Sequence, residues 1–246
     1  MIFRILTLFP ERFQPYLSTS IIGRSIRDNK IEVSLINFRD FSNNKHHKVD
    51  DTTYGGGPGM VLQCEPLYKA IKSVYTSNSK LIFLTPQGKL FKQSKAWKLT
   101  KEKEIILVCG SYEGFDQRIF ELFDHETLSI GDYVLTSGEL AALVVLDSIT
   151  RLLDNVLHNP NSLENESFTQ GLLEYDQYTK PDDFLNLKVP EVLLSGDHHK
   201  IELWRKKNSL INTIKNRPDL LEKAILSISD IELLISYFEE KKNDYE

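Results

Sequence analysis

Glu104–Asp116 reads EIILVCGSYEGFD. A short apolar run, rich in β-branched residues, passes directly into a loop carrying two glycines, a tyrosine and two acids. Such a run, bounded by turn residues, reads as a β-strand. The same grammar recurs on both sides of it. IFRILTLF from Ile2, IEVSLINF from Ile31, KLIFLT from Lys80 and ETLSI from Glu126 are further strands, separated by segments of helical length. That alternation predicts an α/β domain whose mostly parallel sheet is covered by helices. In such sheets ligands bind in the crevice outside the carboxyl ends of the strands.

The α/β pattern spans residues 1–158. The polar, Asn- and Ser-rich stretch DNVLHNPNSLENESFTQG that begins at Asp154 reads as a linker or mobile loop, with 159–172 as its flexible interdomain part. Beyond it strand signals fade. HKIELWRKKNSLINTIKNRPDLLEKAILSISDIELLISYF has apolar residues at helical spacing, broken at Pro218, which predicts a small helical C-terminal domain over 173–246. Of 246 residues, 41% are hydrophobic and 26% charged, the composition of an ordinary soluble globular protein. No apolar run reaches the roughly eighteen residues of a membrane span, and the N-terminal apolar stretch is too short for a signal peptide. Two cysteines, Cys64 and Cys109, without secretory signals imply reduced thiols and a cytoplasmic location. Neither they nor the six histidines have metal-site spacing. A net charge of −5 argues against a generic polyanion binder, although local basic patches remain open.

Three loops follow strands and place glycine beside polar or aromatic groups: TPQGK from Thr85, CGSYEGFD from Cys109 and IGDYVLTSGE from Ile130. A fourth glycine-rich stretch, YGGGPGM from Tyr54, precedes them. Glycine is expected where backbone must approach a ligand closely. The P-loop pattern, the dinucleotide-binding glycine pattern and the G-x-S-x-G of hydrolases are all missing. A purine-like but weakly anionic ligand suits these loops better than a nucleoside triphosphate or a dinucleotide.

LTLFPE from Leu6, VDDTTYGGGPGM from Val49, TPQGK, CGSYEGFD, SIGDYVLTSGE, HNPNSLENESF, LLEYDQYTKP and VLLSGDHHKIELWR occur in an order and spacing that resemble the bacterial tRNA (guanine37-N1)-methyltransferase family, TrmD. The resemblance runs from the first strand to NRPDLL. It implies a SPOUT-class fold, in which part of the parallel sheet is tied in a deep trefoil knot that forms an S-adenosyl-L-methionine pocket. It also implies a homodimer with each active site shared between subunits. The implied reaction is methyl transfer to N1 of guanosine at position 37 of tRNA, beside the anticodon. Magnesium dependence is associated with the family, although this sequence shows no obvious ligand set.

Carried over by motif, the cofactor pocket uses Pro86 and Gly88, then Gly110, Tyr112 and Gly114, then Ile130, Gly131, Tyr133, Leu135 and Gly138. Glu113 is placed to hydrogen-bond the target guanine. N1 must lose its proton before it can attack, so a carboxylate base is needed, and charge building on O6 calls for a cation. Arg151 matches the family's arginine. Where the family most familiarly has an aspartate base, this sequence has Glu166, with Glu164 as its rival. The longer side chain makes a catalytically weakened tRNA-binding protein of the same fold the alternative reading. Ser111 stands where arginine is common, Thr136 and Ser137 replace a smaller pair, and Ala141 replaces a frequent proline. YGGGPGM is expected near the target base and the dimer interface. NNKHHK from Asn43, and the segment with His198, His199, Lys200, Arg205, Lys206, Lys207, Lys215 and Arg217, are candidate tRNA contacts. Trp204 reads as a core residue of the small domain.

Overall fold

A computed structural model describes residues 1–157, 163 and 166–243. The chain divides into two compact units, 1–158 and 159–246.

The first unit holds strands β1 (Ile2–Thr7), β2 (Glu32–Asn37), β3 (Asp50–Thr52), β4 (Met60–Leu62), β5 (Ser79–Leu90), β6 (Glu104–Cys109) and β7 (Glu126–Ser129). Its helices are α1 (Gln14–Leu17), α2 (Ser20–Arg27), α3 (Cys64–Val74), α4 (Gln93–Leu99) and α5 (Glu139–Thr150). Five strands form one sheet in the order β2-β1-β6-β5-β7. Every pairing in it is parallel. All five apolar runs of the sequence are its strands. The central strand β6 is buried from Ile105 to Cys109 without alternation, because helices cover both of its faces. Phe83 of β5 anchors an aromatic cluster, with edge-on contacts to Phe115, Phe120 and His125 at 5.2, 4.8 and 5.5 Å. Phe115 thereby ties the loop after β6 to the core.

Two features depart from the simple strand-then-loop pattern. Strand β5 continues through TPQGK, but its register against β7 slips: Leu84 and Lys89 both face Leu128, so residues 85–88 bulge out of the ladder. The bulge lets Gly88 lie on the backbone of Leu128, where an added Cβ would come within 2.5 Å of that residue's N and C atoms. Strands β3 and β4 form a separate antiparallel hairpin around the YGGGPGM turn. Strand β4 runs beside the loop after β6. The Glu113 and Asp116 amides donate to Met60 and Leu62 carbonyls at 2.9 and 3.1 Å, and the Leu62 amide donates to the Gly114 carbonyl at 2.9 Å.

The second unit contains a short hairpin, β8 (Asp183–Phe184) and β9 (Leu187–Lys188), which the sequence pattern did not reveal. Its helices are α6 (Glu191–Leu194), α7 (His198–Asn216), α8 (Pro218–Leu221) and α9 (Ile228–Asn243). Helix α7 begins at an Asp197 cap, whose carboxylate accepts from the Lys200 amide. Its polar face pins the extended segment before it: Ser209 donates to the Leu173 carbonyl, Thr213 accepts from the Leu173 amide, and Asn212 donates to the Asp176 carboxylate. Trp204 is half-buried against Tyr178.

Replacing Gly88 by alanine is expected to cost about 1–3 kcal/mol of stability, because backbone rather than a movable side chain occupies the space. Gly56→Asn, in an open left-handed turn, is expected to cost under about 1 kcal/mol, since asparagine tolerates that conformation. Denaturant unfolding of the two variants checks the contrast.

Candidate functional site

The carboxyl ends of β5, β6 and β7 open onto a cavity of about 230 Å3. Its wall is built from the three loops that follow those strands. Pro86, Gly110, Tyr112, Gly114, Ile130, Gly131, Tyr133, Leu135 and Gly138 line it, together with Glu113. Gly88 is not on the wall. It holds the bulge that carries Pro86.

The tightest point lies where the third loop crosses the second. The Gly138 amide donates to the Gly110 carbonyl at 2.7 Å, and Ser111 and Ser137 form an antiparallel bridge. A Cβ on Gly138 would lie 2.7 Å from the Gly110 nitrogen and 2.8 Å from the Cys109 Cα, so only glycine permits this crossing. Tyr112 sits in the left-handed region at φ 57°, an uncommon conformation for a bulky residue and of the kind that clusters at functional sites. The Ser111 hydroxyl is buried and lacks a partner among the described residues, although its residue lines the cavity. Among the described residues no lysine, arginine or histidine lines the wall, and Glu113 is its one carboxylate. A cavity of that kind repels a polyphosphate and accommodates a neutral or cationic ligand.

Glu113 is positioned by its neighbour strand. Its side chain lies over Gly59, where an added Cβ would come 2.3 Å from the carboxylate. Gly59 itself has φ +87°. The glycine-rich turn therefore has a definite task in the fold: it clears room for Glu113 above the hairpin.

Arg151 and Glu166 are the other two predicted catalytic residues. Arg151 caps the far end of α5 from Gly138 and is half-buried. Twelve helical residues separate the two ends, which places them about 18 Å apart. Glu166 belongs to the second unit, where it lines a cavity of about 250 Å3 with Tyr175, Arg205 and Lys206 among others. Glu164 lies outside the described residues.

Sequence reading missed Glu139, Thr7 and Arg12 beside the cavity. Glu139, at the head of α5, is only 2% exposed, and its Oε1 accepts from Thr7 at 2.7 Å. Arg12 lies 3.6 Å from Oε2 and donates to the Ser137 hydroxyl at 2.8 Å. Burial, and secondarily the Glu139 charge, push the Cys109 thiol well above its ordinary range. The only sequence signal for Glu139 was an acid heading an otherwise apolar helix, ELAALVVL.

The basic segment of the second unit is largely engaged internally. Lys206 pairs with Asp230 and Lys207 with Glu240 on α9, while Lys200 and Arg217 pair with Asp197 and Asp219. Among the described residues no three His, Cys, Asp or Glu side chains gather as a metal site, and no helix is long and apolar enough to cross a membrane.

A parallel α/β sheet, with a cation-free cavity walled by three glycine-bearing loops at its carboxyl edge, defines a small-molecule-binding protein that uses neither a phosphate loop nor a dinucleotide loop. Comparison with known proteins narrows that class. Residues 1–223 match the family described as tRNA (Guanine-1)-methyltransferase TrmD, and the chain belongs to that family. It is 52% identical over 235 residues to a tRNA (guanine-N(1)-)-methyltransferase of Caldanaerobacter subterraneus subsp. tengcongensis, covering 95% of this chain and 97% of that one. Proteins with the same name from Caldicellulosiruptor saccharolyticus and Lactobacillus johnsonii are 49% and 51% identical, covering 98% and 97% of this chain and 99% and 98% of theirs.

Gly59→Ala is expected to displace the Glu113 side chain and to lower methyl transfer by roughly tenfold or more, against a stability loss of about 1–2 kcal/mol for the left-handed backbone. Parallel kinetics and thermal unfolding separate the two effects.

Proposed function

We propose that the chain transfers a methyl group from S-adenosyl-L-methionine to N1 of guanosine 37 in tRNA. The observation that carries this reading is the cavity at the carboxyl edge of the sheet. Its three loops offer backbone donors and acceptors, tyrosine and aliphatic side chains, a buried unpartnered Ser111 hydroxyl and no lining cation. These groups fit the cofactor's adenine and ribose, and they leave its positive sulfonium unopposed. Pro86, Gly110, Tyr112, Gly114, Ile130, Gly131, Tyr133, Leu135 and Gly138 hold the cofactor, with Gly88 supporting the first loop. Magnesium finds no such fit among the described residues, and the roles below are assigned to side chains alone.

When bound, the cofactor supplies an electrophilic methyl group. The protein has to prepare the guanine. Its N1 carries a proton and lies on the pairing edge, so the base is extruded to reach the cavity. Glu113 hydrogen-bonds the extruded base. Glu166 accepts the N1 proton, and Arg151 faces O6 as negative charge develops there. Within the first unit Arg151 stands at one end of α5 and the cavity at the other. That separation supports a homodimer in which one subunit's cavity is completed by the other's residues. Exposed apolar side chains of α1, α2 and α5 support it too: Tyr16, Ile21, Leu140 and Val144 all meet solvent in the single chain.

The close crossing of Gly138 over Gly110, and the seating of Gly88 on Leu128, support the SPOUT-type knotted topology. The second unit serves as the tRNA-binding domain. Arg205 and Lys215 are better candidates there for the RNA backbone than Lys206 and Lys207, which already have carboxylate partners. Arg205 also stacks on Tyr175 at 4.9 Å.

Labelled S-adenosyl-L-methionine and transcripts bearing guanosine or adenosine at position 37 test the reading. Transfer to the guanosine transcript alone is expected, with Glu166→Gln reducing the rate by roughly a hundredfold or more. Tight tRNA binding without transfer would instead establish the weakened binder. Val144→Glu is expected to yield monomers by sedimentation and to abolish transfer while cofactor-pocket residues stay folded.

A further inference from the structure

Beneath the cofactor loop lies a set of polar contacts that the methyl-transfer roles do not use. Glu139 is a carboxylate buried to 2% exposure directly after Gly138. An uncompensated charge at that depth is strongly unfavourable, so its partners carry information. One partner is the hydroxyl of Thr7, fully buried at the end of β1. That hydroxyl also accepts from the Phe9 amide at 2.9 Å, which fixes its orientation. The start of α5 adds the favourable end of a helix dipole. The remaining oxygen, Oε2, has no hydrogen bond and faces the Arg12 guanidinium at 3.6 Å. The same Arg12 nitrogen that lies nearest Oε2, Nη1, donates to Ser137 at 2.8 Å. Arg12 is braced from behind by the Phe9 ring, 4.3 Å from its guanidinium carbon.

We infer that Arg12 and Glu139 form a latch that positions the loop 130–138 over the cofactor cavity, making both positioning residues for cofactor binding. Thr7 roots the latch in the sheet, Glu139 holds Arg12 by charge, and Arg12 holds Ser137. Ser137 in turn bridges Ser111 on the opposite wall, and both residues line the cavity. Displacing Arg12 loosens the loop where it meets the second wall without removing any group that lines the cavity. The inference rests on the cavity being the S-adenosyl-L-methionine site.

The test measures equilibrium binding of S-adenosyl-L-methionine by calorimetry to the full chain and to Arg12→Ala, Ser137→Ala, the double variant and the cavity-filling Ala141→Trp. Arg12→Ala is expected to weaken binding roughly tenfold, the size of one lost charge-assisted hydrogen bond. Ser137→Ala should weaken it less, and the double variant should bind no worse than Arg12→Ala, because both single changes break one bridge. Arg12→Lys, which keeps the charge facing Glu139 but loses the planar guanidinium held against the Phe9 ring, should recover only part of the loss. Transfer assays should show the change in KM for the cofactor rather than in kcat. Additive losses in the double variant, or unchanged affinity in Arg12→Ala, would overturn the latch. Full binding by Ala141→Trp would overturn the cofactor site itself, which separates the two failures.

Discussion

The structure turns on one close approach of backbone to backbone. Where the loop after β7 crosses the loop after β6, the Gly138 amide reaches the Gly110 carbonyl at 2.7 Å with no room for a Cβ. This contact closes the cavity on one side, starts α5 and sets Glu139 into the protein interior. Gly88 on Leu128 is its counterpart at the bulge of β5. Side-chain packing cannot replace such contacts, because any side chain would hold the two strands of chain apart. They explain why glycine recurs after three successive strands of this sheet.

Charge is distributed with equal economy. Unit 1 keeps cations off the cavity wall while burying a carboxylate one residue behind it, compensated by Thr7, Arg12 and a helix N-terminus. The wall is therefore nearly neutral toward a ligand, yet the loop that forms it is tethered electrostatically. In the second unit Lys206 and Lys207 of α7 are paired with carboxylates of α9, which leaves fewer of its cations to grip an RNA backbone.

Several elements were readable from residues alone. The five strands were legible because each is a short apolar run, and in a parallel sheet covered on both faces no alternation is needed to bury it. The loops were legible because glycine beside tyrosine and carboxylate has few structural uses at a strand's carboxyl end. The hairpin of β8 and β9 was not, since two residues per strand leave no periodicity to detect. Nor was the Thr7–Glu139–Arg12 cluster, whose members are separated by up to 132 positions and look ordinary one at a time. The YGGGPGM turn advertised itself by composition, but only the fold revealed that Gly59 makes room for Glu113.

The sequence by itself determined the five strands of the main sheet, the parallel class, the three cavity loops and the family, because these depend on local periodicity and on motifs contiguous in the chain. The tertiary structure alone decided which groups share a site. It placed nine of the ten predicted cofactor residues around one cavity, moved Gly88 to a supporting position and put Arg151 at the opposite end of α5. It also assigned Lys206 and Lys207 to carboxylates of α9. The physical reason is that burial, pairing and the crossing of two loops are properties of distances through space, which residue order along the chain does not specify.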